Sequence, residues 1–102
     1  YQDRLSKYGI DLVIPDEIEQ ETLVMDSIYG EQGVKAGFSD EPAKLLQLAV
    51  DQLIKKGAQI IIGGCTEIPL VLKEEDIGMA VVDPSKIVAE MCVKYCMEKV
   101  LV

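Results

Sequence analysis

Apolar positions along the chain alternate between helical stripes and short unbroken runs. Leu45, Leu46, Ala49, Leu53 and Ile54 make a stripe that predicts a helix over Ser39–Lys56 with one face toward a core. Ser39 is placed to cap it, Pro42 fits its first turn, and Gly57 ends it. Ile18, Leu23, Met25 and Ile28 predict a second helix over Glu17–Gly30. Tyr1, Leu5 and Tyr8 predict another, which stops at Gly9. Glu31–Ser39, with Gly33 and Gly37, reads as a loop.

Between these stripes lie Ile10–Pro15, Ile60–Ile62 and Ala80–Val82, apolar runs without polar alternation that predict strands covered on both faces. A short helix over Cys65–Lys73 and a final one over Pro84–Val100 complete the order. Strand and helix alternate, so the expected class is α/β: a layered parallel sheet with helices on both faces. No strand precedes the Tyr1–Tyr8 helix, which fits a chain that starts partway through a larger α/β protein.

Composition narrows the chemistry. A chain of 102 residues supports one core rather than two. Its net charge of −8, from 18 acidic and 10 basic residues, opposes phosphate backbones and anionic membranes. Neither nucleic acid nor membrane is an expected partner, although a local pocket can still take a small anion. The absence of histidine removes the usual base beside a nucleophilic serine or cysteine, and the commonest metal ligand. Cys65, Cys92 and Cys96 lack CxxC spacing, which argues against a zinc ribbon or a thioredoxin-type site. An odd number of thiols with no signal peptide points to a reducing cytoplasm.

The segment GGCTEIPL, Gly63–Leu70, follows the predicted strand directly. Ligands in open α/β sheets collect at the carboxyl ends of strands. Gly63 and Gly64 permit a sharp turn, Thr66 is placed to cap the next helix, and Pro69 is tolerated in its first turn. Cys65 would then lie beside unpaired N–H groups at a helix N-terminus, which favour a thiolate and attract a carboxylate. A free cysteine is by default a small buried hydrophobe. The Gly-Gly before Cys65 and the Thr-Glu after it favour a reactive thiol suited to proton transfer. Cys92 and Cys96, one helical turn apart among Val88, Met91 and Val93, read instead as core or helix-face residues. A phosphatase loop would end in arginine, but Val71 stands six residues after Cys65 and Arg4 is the sole arginine.

GGCTEIPL resembles the second catalytic-cysteine motif of the aspartate/glutamate racemase family. VIPDEIEQE (Val13–Glu21), IYGEQGVKAGF (Ile28–Phe38) and VVDPSKIVAE (Val81–Glu90) resemble other stretches of the C-terminal half of that fold. The resemblance spans essentially the whole chain. It implies a cofactor-independent, two-base racemase of acidic amino acids, aspartate ahead of glutamate. One cysteine thiolate removes the Cα proton and a second, on the opposite face, returns one. On this resemblance Cys65 is one acid/base and Thr66 contacts the substrate. Glu67 either orients the substrate ammonium or only biases the first turn of the helix. Lys35 clamps the side-chain carboxylate, against its default as a solvated loop lysine.

The other catalytic cysteine belongs to the family's N-terminal half, absent from this sequence, and neither Cys92 nor Cys96 lies in a segment that could replace it. The chain therefore reads as an incomplete copy of a two-domain racemase fold. Residues 1–82 form the second α/β domain without its first strand, and residues 83–102 a C-terminal helix that packs on the N-terminal domain. The expected partners are that N-terminal half, a small acidic amino acid and a second copy in a homodimer, with no cofactor and no metal; the isolated chain is expected to be inactive. Hydantoin racemases, maleate isomerases and decarboxylases share the thiol turn and stay open, as does a non-catalytic α/β assembly module.

Overall fold

The helix start at Asp16 is set by a side-chain capping box that the apolar stripe does not show. The computed structural model describes residues 1–100. After α1 (Gln2–Ser6) and an irregular segment, Asp16 opens a helical stretch with a capping box. Asp16 Oδ1 accepts from the Glu19 N–H at 2.8 Å, and Glu19 Oε2 accepts from the Asp16 N–H at 2.8 Å. Lys56 Nζ adds an ion pair to the same Glu19 oxygen at 2.7 Å. The helix predicted over Glu17–Gly30 is not uniform: α2 (Glu17–Glu19) widens into a π turn (Gln20–Met25) before α3 (Asp26–Tyr29). Within it Thr22 Oγ1 donates to the Ile18 carbonyl at 2.8 Å, and buried Ser27 Oγ to that of Val24 at 2.6 Å.

The clearest stripe does form a helix, α4 (Asp40–Lys55), which buries Pro42, Leu46, Ala49 and Val50. Two details differ from expectation. Ile54 is 41% exposed while Val50 takes the core position, so the buried face is rotated from the one the stripe suggested. Ser39 sits at the cap, yet its side chain makes no capping bond; only its carbonyl is used, by the Ala43 N–H at 3.1 Å.

β1 (Ile61–Ile62) and β2 (Val81–Val82) pair in parallel, Ile61 opposite Val81 and Ile62 opposite Val82. The crossover between them carries α5 (Ile68–Val71) and α6 (Glu74–Ile77), the second unforeseen. Leu46 and Val50 from α4 meet Ile61 and Leu72 in the core, each such burial contributing roughly 1.5–3 kcal/mol. The α/β class with parallel pairing is therefore the observed one.

The strand predicted over Ile10–Pro15 does not form; among the described residues the sheet has two strands. That segment faces β1 across an apolar cleft of about 920 Å³, lined by Leu12, Ile14, Ile60 and Ile62 among others. An apolar run becomes a strand only where a backbone partner comes within reach. Here the Ile10 N–H turns back to the Leu5 carbonyl at 3.1 Å, and Ile14 stays 64% exposed.

α7 (Pro84–Val100) is capped by the preceding Asp83, whose Oδ1 accepts from the Ser85 and Lys86 N–H groups at 3.1 and 3.3 Å. It buries none of its described residues; Val88, Met91, Tyr95 and Met97 are exposed. Cys92 and Cys96 are exposed with them, so the core reading of these thiols is corrected to a helix face. Positions 101 and 102 of the predicted C-terminal segment lie outside the described residues. The accessible surface is 7406 Å², against roughly 5,700 Å² for a compact monomer of 11.2 kDa. The radius of gyration, 15.6 Å, likewise exceeds the ~13 Å of a compact domain of this length.

Candidate functional site

The site begins where β1 stops. The Gly63 N–H donates to the Val82 carbonyl at 2.9 Å and holds the chain to the sheet for one further residue. Gly63 is buried, and a Cβ there would stand 3.2 Å from Pro69 Cγ, so a bare backbone lets α5 close onto the turn. Cys65 follows, half-buried, with its thiol free. This is the carboxyl end of a parallel strand, as the sequence predicts.

The helix that was to stabilise a Cys65 thiolate is shorter than expected. α5 starts at Ile68 rather than at Cys65 and ends after one turn. Thr66 does not cap it: position 67 is the N-cap, without a side-chain bond, and Thr66 Oγ1 donates instead to Glu67 Oε2 at 2.9 Å. One turn carries little dipole, and Cys65 lies outside it. Positive charge reaches this turn from a different direction.

It comes from Lys35, on a 3₁₀ turn (Val34–Ala36) in the loop before α4. A Cβ at buried Gly33 would lie 2.7 Å from the Ile28 carbonyl oxygen, so glycine lets the loop press against α3. Gly37 closes the 3₁₀ turn at φ 92°, a left-handed conformation. Lys35 Nζ is thereby carried to 3.1 Å from Glu67 Oε1 and 5.5 Å from the centre of the Tyr29 ring. The hydrogen bond to Glu67 raises the Lys35 pKa above its ordinary value; the negative charge of Glu67, then Tyr29 and Cys65, add to the rise, and burial opposes it. The same bond, with that from Thr66, holds Glu67 below the usual carboxylate range against burial.

The structure thus joins Lys35, Glu67 and Thr66 by direct contacts, in the turn that carries Cys65. The result is a cation, an anion, a hydroxyl and a thiol at one end of the sheet. The Lys35 side chain is 49% exposed and keeps N–H donors for an incoming carboxylate. Tyr29 was not singled out from the sequence, although it stands six residues before Lys35 in the same glycine-punctuated stretch. Among the described residues no group of three or more His, Cys, Asp or Glu side chains is placed to hold a metal, and no helix is long and apolar enough to cross a membrane.

In open α/β sheets ligands collect at this carboxyl end of the strands, where the polar groups gather here. The sequence pattern of the Asp/Glu/hydantoin racemases matches residues 1–92, and the chain belongs to that family. Its fold is similar to the crystal structure of a proposed Asp/Glu racemase from Yersinia pestis, with a TM-score of 0.78 and 32% identity over 95% of this chain and 42% of that one. It is also 41% identical, over 75 residues, to an uncharacterised protein of the pnlA 3' region of Pectobacterium carotovorum subsp. carotovorum, covering 74% of this chain and 47% of that protein. The chain spans under half the length of each of these two relatives.

Proposed function

We propose that this chain carries one acid/base of a cofactor-independent racemase of acidic amino acids, aspartate ahead of glutamate. The Cys65 thiolate takes the Cα proton, and the electron pair left on Cα spreads into the α-carboxylate. A second thiol on the opposite face then delivers a proton, so bonds to hydrogen broken and made at Cα balance. Lys35 receives the side-chain carboxylate, Glu67 the ammonium, and Thr66 contacts the substrate. The single observation that carries this reading is the 3.1 Å pairing of Lys35 with Glu67, which brings opposite charges to the Cys65 turn.

Family membership supports the racemase class. The two charges favour an acidic amino acid over the family's other chemistries. A hydantoin ring has no side-chain carboxylate for Lys35, and maleate has no ammonium for Glu67. The second thiol, on this proposal, comes from a complementary N-terminal half. The excess surface and the uncovered apolar side chains of α7 support that seat, with residues 1–82 as the second α/β domain and the following helix as the docking element. A homodimer in a reducing compartment completes the proposal.

The test is chiral chromatography of L-aspartate incubated with the full-length protein and its Cys65→Ala variant. D-aspartate should accumulate with the first and not the second. No turnover of either acidic amino acid by the unaltered protein would refute the reading.

A further inference from the structure

We infer that Glu67 is a resident stand-in for the substrate's distal carboxylate, so the site opens fully only to a ligand that brings both a distal carboxylate and an ammonium. This rests on the reading of Lys35 as the carboxylate clamp. Before any ligand arrives, the Lys35 ammonium is already paired with Glu67 at 3.1 Å. A dicarboxylate must compete for it, because two carboxylates crowded on one ammonium repel each other.

Displaced Glu67 is not left bare. The Thr66 hydroxyl donates to its other oxygen at 2.9 Å, which keeps the carboxylate anchored in the Cys65 turn. There it can take the ammonium of an amino acid. For an acidic amino acid the exchange replaces one ion pair with two. A neutral amino acid has no distal carboxylate to reach Lys35 and leaves the resident pair closed. A dicarboxylate without an ammonium takes Lys35 but strands Glu67 on Thr66 alone.

The exchange needs no unfolding. Lys35 and Glu67 side chains are 49% and 22% exposed, and ion pairs with this much access to water are weakly held. The Tyr29 ring, 5.5 Å from Lys35 Nζ, offers the ammonium a second contact that does not depend on Glu67.

Calorimetric titration of the full-length protein tests this, in a Cys65→Ser background so that L-aspartate is not turned over. Glu67→Gln should tighten succinate by about two- to five-fold and weaken L-aspartate by a similar factor. Lys35→Met should weaken both by about ten-fold or more. If Lys35→Met leaves the affinity for either ligand unchanged, the clamp reading fails and the stand-in with it. If Lys35→Met weakens both but Glu67→Gln moves the two in the same direction, or moves neither, the stand-in is overturned while the clamp survives. A second readout keeps Glu67 native: in the carboxyl-carbon NMR titration, succinate should shift Glu67 up toward the ordinary carboxylate range. An unmoved titration overturns the exchange.

Discussion

The Lys35 ammonium lies 3.1 Å from the Glu67 carboxylate and ties the loop before α4 to the turn after β1. Its pH dependence has a definite sign. Glu67 is depressed by its bond to Lys35, so its contribution is present above the ordinary carboxylate pKa and lost as pH falls through the lowered one. Lys35 is raised, so its contribution is present below the ordinary lysine pKa and lost as pH rises through the raised one. The stability difference between the protein and its Glu67→Gln variant, from urea unfolding, should hold constant around neutrality. It should vanish in acid below the usual carboxylate range, and shrink with added salt.

Close backbone approach makes the loop sensitive to a single methyl group. A Cβ at Gly33 would meet the Ile28 carbonyl oxygen at 2.7 Å, whereas one at Gly63 would meet the side-chain carbon Pro69 Cγ at 3.2 Å. Gly33→Ala should cost about 1–3 kcal/mol. Gly63→Ala should cost less, because the proline ring can give way. Chemical denaturation of the two variants checks the order.

The register of α4 predicts unequal costs along one helix. Leu46 is 3% exposed and Leu48 is 50% exposed. Leu46→Ala should lose about 2–5 kcal/mol, and Leu48→Ala should stay within about 0.5 kcal/mol of the parent. Equal losses in urea unfolding would contradict the core described above.

Legibility in the sequence followed how local each signal was. The α4 stripe and the strand before Gly63 were legible because periodicity and glycines act over a few residues. Lys35 and Glu67 could each be picked out, but their contact depends on how the loop is pressed against α3, which no local pattern encodes. The strand over Ile10–Pro15 failed because a strand needs a neighbour, and a cleft lies where that neighbour would pair. Thr66 failed as a cap because its hydroxyl had a charged partner next to it in Glu67. The Asp16–Glu19 capping box was a readable pattern that the apolar stripe overshadowed.

Thiol chemistry should separate Cys65 from the other two cysteines. Cys92 and Cys96 are exposed on α7, while Cys65 is half-buried. Access alone would make iodoacetamide label the α7 thiols first. As the proposed acid/base, Cys65 should nonetheless be alkylated fastest near neutral pH in the full-length protein, as read by peptide mass spectrometry. Labelling of Cys65 no faster than that of Cys92 and Cys96 would remove the basis for its acid/base role.

The most direct test of the central claim is exchange of the Cα hydrogen of L-aspartate in D₂O, followed by proton NMR with the full-length protein. Two-base proton transfer predicts loss of the Cα–H signal alongside the appearance of D-aspartate. Cys65→Ser should slow both by about a hundred- to ten-thousand-fold. Undiminished exchange and racemisation in Cys65→Ser would contradict the account of Cys65 as the acid/base.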